Sequence, residues 1–412
     1  MKNLKEKYIE LLLNKCIYSQ NNQQSLFIYY DKINQDFIKD LIETARKQGF
    51  KNILMDEKDI KLEHQLLQEL SVEEIGKHPY FYNQKWNQAL NKNCVFLLAS
   101  TSFPNYLDDI DSEKIKAANE AKIKTQEKYF KRVMNDSLSW TIFPLSNPIW
   151  ANKLFPNDPQ AHLKLQNLIY SFCMLNNKYP FQKWNYIIDI EMKKTHFLNQ
   201  LNIKELILHN SLGTHLTLGL AQNYIFRSLE NNHCIENMPT YSFWTAPHKY
   251  HVEGIVYGSL PITYYGHQIE DYWFLFKNGK VIQYDALKGK KFLDDYFSLG
   301  DSYKRLGEIA ITDYLSPIAK TKLNYFNNII DENIGTHLAL GSAYQNTILN
   351  GTNMSEIELD KAGCNVCPQH MDFTIGTNDL TIIAKTYDNE EFVIFKNGNF
   401  NYDLIHKKSP FI

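Results

Sequence analysis

The chain has 412 residues, 44% of them hydrophobic and 14% aromatic. That is enough for a substantial core and more chain than one compact core usually takes. Its 44 basic and 46 acidic residues leave a net charge of −2, which excludes a global basic field for nucleic acid or an anionic membrane.

The N-terminal stretch MKNLKEKYIELLLNKC is amphipathic, and residues 2–15 read as a helix. Its apolar centre, Leu11–Leu13, is too short for a signal peptide. No apolar run has the length of a membrane span, so the chain reads as soluble and cytoplasmic. SLFIYYD (25–31) reads as a strand and QDFIKDLIETARKQG (35–49) as a helix ending at Gly49. KNILM (51–55) is a short strand, CVFLLAS (94–100) a continuous apolar one, and a long charged helix runs from about Ser112 to Asn135. WTIFPL (140–145) is another buried strand. Continuous apolar strands between amphipathic helices predict an α/β fold with a mainly parallel, helix-covered sheet. GxGxxG and Walker-type loops are missing from this half, so nucleotide binding has no support.

Residues 159–176 and 182–200 read as helices. After Leu201 the texture changes to period-two segments broken by glycine. FLFKNGKVIQYD (274–285) and FVIFKNGNFNYD (392–403) place Asn-Gly between strand-like runs, a hairpin signal. The expected organisation is an N-terminal α/β domain over 1–200 and a mixed, strand-rich α/β domain over 201–412. The six cysteines, at 16, 94, 173, 234, 364 and 367, form no disulfide framework. Cys364 and Cys367 make a single CxxC, and a zinc knuckle needs a second pair.

The second half sets polar groups into strand-like or glycine-tight contexts. They are Glu253 in HVEGIVYGSLP, Glu308 in RLGEIAI, His337 in IIDENIGTHLALGSAYQ, and His370 with Asp372 in QHMDFTIG. In a strand, i and i+2 share a face, so His370 and Asp372 project together. An imidazole beside a carboxylate suits a divalent cation; a hydrogen-bonded pair on a solvated face remains the alternative. LGEIAI is apolar, and a buried carboxylate normally has a cation or donors. His251 shares a face with Glu253 if the segment is extended and is a rival for its role. HExxH does not occur, which excludes a zincin. Two histidines with several separated carboxylates fit a pair of divalent ions bridged by one carboxylate.

Five stretches in order carry a resemblance: SNPIWANKLFP (146–156), NMPTYSFWTAPHKYHVEG (237–254), LGEIA (306–310), DENIGTHLALGSAYQ (331–345) and HMDFTIG (370–376). Together they resemble the thermophilic-type metallo-aminopeptidase family, the group of aminopeptidase T and aminopeptidase S. The motifs cover most of the chain after residue 140 and are weak before it. The resemblance implies two α/β domains, a C-terminal metal domain and a homodimer. It implies removal of N-terminal residues from peptides with two divalent ions, Zn, Co or Mn. Carried over, the family pattern makes Glu253, Glu308, His337, His370 and Asp372 the metal ligands, with Glu308 bridging. It matches Tyr344 to an active-site tyrosine, and Glu332 and Asp331 to positions at or near the metals. If residues 337–344 are helical, Tyr344 returns to the face of His337. Two departures stand out. Tyr241-Ser242 follows Pro239-Thr240 where the family commonly has Glu-Glu, and His215 stands where it commonly has Asp. Other readings are a binuclear hydrolase of another substrate class and a non-enzymatic metal-binding relative.

Overall fold

The computed structural model describes residues 3–17, 25–229, 234–264 and 267–411. Lys2, the first residue of the expected N-terminal helix, lies outside them. Contacts divide the chain into two units. The division falls between Lys183 and Trp184, and a segment ending at Pro239 belongs to the first unit. The helix Pro180–Gln200 therefore spans the division.

In the first unit, β1 (Leu26–Asp31), β2 (Ile53–Lys58), β3 (Val95–Ser100) and β4 (Trp140–Pro144) form one sheet in the order β2-β1-β3-β4. Every pairing is parallel. Val95 to Ala99 are all buried, as a strand covered on both faces requires. The helix Gln35–Lys47 buries Ile38, Leu41 and Ala45, one stripe at helical spacing. The long charged helix is Ser112–Met134. Three short helices between β2 and β3, Ile60–Glu69, Val72–Lys77 and Lys85–Asn91, were not marked by the sequence pattern.

The second unit continues with β5 (Ile203–His209), β6 (His215–Leu220), β7 (Ser242–Thr245), β8 (Pro247–Tyr257) and β9 (Ile262–Tyr264). Next come β10 (His267–Lys277), β11 (Lys280–Lys288), β12 (Leu306–Thr312), β13 (His337–Gly341) and β14 (His370–Thr374). The last are β15 (Thr381–Thr386), β16 (Glu391–Lys396) and β17 (Asn399–Phe400). Both Asn-Gly turns form as expected. Asn278 and Gly279 have φ of 50° and 72°, and Asn397 and Gly398 of 51° and 69°. Positive φ at both central residues is what a tight hairpin turn demands. A Cβ on Gly279 would sit 1.9 Å from the Lys249 carbonyl oxygen.

These strands make a nine-stranded sheet and a four-stranded one, the latter ordered β14-β13-β12-β7 and antiparallel throughout. The smaller sheet carries the candidate site residues Glu308, His337, His370 and Asp372. Its segments read Glu-Ile-Ala-Ile-Thr, His-Leu-Ala-Leu-Gly and His-Met-Asp-Phe-Thr. Alternation sends Ile309, Ile311, Leu338, Leu340, Met371 and Phe373 into the core of this unit. Glu308, His337, His370 and Asp372 are left on the opposite face. Residues 337–341 are thus a strand, not the helical turn considered above. The apolar alternation of Leu338 and Leu340 buries a strand face, which a helix would have broken.

Candidate metal centre

Strand register assembles the site. Glu308 lies opposite Ala339, and Ala339 opposite Asp372. His337 lies opposite Ala310, and His370 opposite Gly341. Each large polar side chain faces a small neighbour, so the centre of this face holds functional groups instead of apolar bulk. A pairing irregularity between Leu306 and Glu308 re-aims the strand at the site.

Ligand-capable atoms of Glu308, His370 and Asp372 lie within 4.8 Å of one another. His370 Nε2 is 3.1 Å from Asp372 Oδ1 and 3.3 Å from Glu308 Oε2. His337 Nε2 approaches the other Glu308 oxygen, Oε1, at 3.8 Å. The two oxygens of Glu308 therefore face different imidazoles. His370 Nδ1–H donates to the Ser342 carbonyl at 2.7 Å, which turns Nε2 toward the site. Burial works against charge on His370, but Asp372 and then Glu308 hold its pKa well above the ordinary imidazole value. Burial likewise opposes charge on Asp372, while His370 beside it brings its pKa below the usual carboxylate range.

Whether a divalent ion fits is decided by unpaired atoms. Glu308 Oε2 is buried with His370 Nε2 beside it at 3.3 Å, and His337 Nδ1 is buried without a hydrogen-bond partner among the described residues. Glu308 and His337 are only 6% and 4% exposed. A buried carboxylate oxygen and imidazole nitrogen left so are costly. A cation between the imidazole Nε2 atoms and the carboxylates would relieve the buried carboxylate but not His337 Nδ1, because Nε2 is the nitrogen facing Glu308; the donor set of N and O atoms suits Zn, Co or Mn.

The other expected residues fall in three places. Tyr344 follows β13 in a loop, and its ring meets that of His370 edge-on at 5.4 Å; it reaches the site without a helix. Glu332 is buried, and its Oε1 accepts from Asn333 Nδ2 at 3.4 Å. Asp331 is a loop cap. Its two oxygens accept the Tyr325 N–H at 2.7 Å and the Asn327 N–H at 2.9 Å. Burial, partly offset by those N–H groups, carries its pKa up to about 7.

Glu253 is not brought to this cluster. It lies on β8, in the nine-stranded sheet, exposed, with Oε1 accepting the Asn278 N–H at 2.6 Å. It lines a separate cavity of about 850 Å³ with His248 and His251. His251 stacks on His248 at 3.9 Å and does not replace it. Alternation along β8 puts Glu253 and His251 on one face, but which sheet β8 joins is set by pairing with β6 and β10. The Cys364–Cys367 pair is buried and reduced, with both thiol pKa values raised by burial. Where the resemblance leads one to expect acidic residues, Tyr241 is buried and stacked on Trp184, and Ser242 Oγ bonds Thr312 Oγ1 at 2.7 Å.

Ser342 and Gly307 were not singled out from the sequence. The signal for Gly307 is the glycine directly before the buried Glu308, where strand pairing shifts.

An α/β chain that gathers two histidines and two carboxylates on one buried sheet face has the makings of a metallohydrolase. The comparisons make the class specific. The thermophilic metalloprotease (M29) family model matches residues 1–400, and the chain belongs to that family. The match includes the region before residue 140, where the motifs alone carry little. The chain is 28% identical over 406 residues to aminopeptidase 2 of Geobacillus stearothermophilus, covering 97% of this chain and 98% of that protein. It is 32% identical over 380 residues to aminopeptidase AmpS of Bacillus subtilis, covering 89% and 91%. The structure of wild-type AmpT from Thermus thermophilus superposes with a TM-score of 0.87 at 26% identity, covering 97% of this chain and 99% of that one.

Proposed function

We propose that this protein is a metal-dependent aminopeptidase that releases N-terminal residues from peptides at a binuclear site in its second unit. The observation that carries it is Glu308, whose two oxygens face His337 and His370 from a buried position. The aminopeptidase names of the relatives supply the reaction. Glu308, His337, His370 and Asp372 hold the ions. Glu253 drops out of the ligand set because it lies in the other sheet.

When bound, divalent ions supply a water nucleophile at neutral pH and polarise the scissile carbonyl. The chain's own groups do the rest. The Ser342 carbonyl fixes the tautomer of His370. Tyr344, against the His370 ring, directs its hydroxyl at the oxyanion that develops as the carbonyl is attacked. A carboxylate not saturated by metal, which with Glu308 bridging is Glu332, takes the proton of the attacking water. The free α-amine of the substrate meets the acidic side of the site, which restricts cleavage to chain ends. Among the described residues no helix is long and apolar enough to cross a membrane. Cytoplasmic residence and a homodimer belong to this proposal, and light scattering of the purified protein tests the second.

The deciding assay is turnover of Leu-p-nitroanilide and of its N-acetylated form, with Zn²⁺, Co²⁺ or Mn²⁺ restored after chelation. Cleavage of the free-amine substrate alone is the expected result. Hydrolysis of phosphate esters instead favours another binuclear hydrolase. Glu308→Gln with full activity overturns the bridging role.

A further inference from the structure

We propose that the two metal positions of this site are unequal: one is held by three protein ligands, the other by two. The inference rests on the binuclear reading above and concerns how the site fills. On one side of Glu308 stand Oε2, His370 Nε2 and Asp372 Oδ1, mutually within 4.8 Å. This group is pre-set. His370 is fixed by the Ser342 carbonyl, and the register between β13 and β14 fixes His370 and Asp372 two residues apart on one strand face. On the other side, Glu308 Oε1 faces His337 Nε2 at 3.8 Å, and among the described residues no further carboxylate or imidazole completes a ligand cluster with that pair.

The elements around His337 offer little more. β7 lies beyond β12, and its residues opposite Ala310 and Thr312 are Trp244 and Ser242. Neither is a carboxylate, and the Ser242 hydroxyl is engaged by Thr312. Asp331 directs both oxygens to backbone N–H groups of its own loop. Glu253 is in the other sheet. His337 is nonetheless only 4% exposed, and its Nε2, turned toward Glu308 Oε1, is the atom that would take a cation there. The three-ligand position therefore fills first and holds its ion through purification. The two-ligand position fills only at higher free metal, and turnover follows its occupancy.

The test is calorimetric titration of the chelated full-length protein with Zn²⁺, repeated with Co²⁺ and its visible absorption. Two steps are expected, their Kd values separated by about 10–100-fold, the usual effect of one ligand or its support. His370→Ala removes the tight step. His337→Ala removes the weak step and leaves the tight one in place. A single step of two equivalent ions overturns the proposal, as does loss of the tight step in a folded His337→Ala protein. Loss of the weak step in Glu332→Gln also overturns it, because the second position then has three ligands. Wild-type stoichiometry decides even if a variant does not fold. The readout is binding, so it stands apart from the peptidase assay. Two unequal steps without free-amine turnover would sink the function and keep the asymmetry. Turnover with equal steps would do the reverse.

Discussion

Gly307 sits where pairing between β12 and β13 shifts, one residue before Glu308. A Cβ there would lie 2.2 Å from the Ser342 carbonyl oxygen and 2.5 Å from that of Gly341. Those atoms are backbone and cannot swing aside. The Ser342 carbonyl is also what His370 Nδ1–H donates to. Gly307→Ala should therefore move the acceptor that orients His370 while leaving every candidate ligand in place. We expect a fall in metal affinity of about 10–100-fold, the range for such supporting groups, with a stability loss of about 1–3 kcal/mol from overpacking. A chelator-competition titration and a urea melt measure both. Unchanged affinity with the expected loss of stability would show that the Ser342 carbonyl does not set His370.

The three strands β12, β13 and β14 separate stability from chemistry by alternation, and two substitutions test that. Phe373 is buried in the core cluster and faces away from the site. Phe373→Ala should cost about 3–5 kcal/mol yet leave the metal stoichiometry intact in the protein that folds. Ala339 lies between Glu308 and Asp372. Ala339→Leu should fill the space between them and weaken metal binding more than it lowers stability. Titration of the two variants side by side reads this; equal loss of metal in both would mean the two faces are not independent. The same alternation explains what the sequence shows and what it hides. His370 and Asp372 are legible as a pair because i and i+2 share a face. The parallel first sheet is legible from the continuous apolar run Val95–Ala99, and both hairpins from Asn-Gly. Glu253 and His251 also pass the i and i+2 test. They fail because local periodicity does not say which of two sheets a strand joins. The unpaired nitrogen of His337 and the carbonyl of Ser342 are relations between strands, which no linear spacing encodes.

Across the second unit, burial forces a second charge cluster that the reaction does not use, and it sets a pH dependence of stability. Lys194 Nζ lies 2.8 Å from Glu191 Oε1 and 3.0 Å from Asp313 Oδ2, with all three side chains 0–1% exposed. The rings of Phe243, Phe400 and Tyr402 surround the ammonium. Asp313 is further held by the Phe400 N–H at 2.6 Å. Two carboxylates share one cation, so one of them is poorly compensated. Glu191 is that one. Burial carries its pKa from 4.5 up to about 7, Lys194 opposing the rise, and its Oε2 has no hydrogen-bond partner among the described residues. The sign follows from proton counts. Between the unfolded and folded pKa values the folded chain binds the extra proton, so stability is greatest on the acid side and falls as pH rises toward about 7. The shift corresponds to an upper figure on the order of 3 kcal/mol. Asp331, also raised to about 7 by burial, slopes the same way. Comparing wild type with Glu191→Gln in metal-free protein cancels that contribution. The difference in unfolding free energy between them should change steadily from about pH 5 to about pH 7, to the disadvantage of wild type, and level off above that. Parallel pH profiles for the two proteins would place the shared proton elsewhere in the Glu191–Lys194–Asp313 cluster.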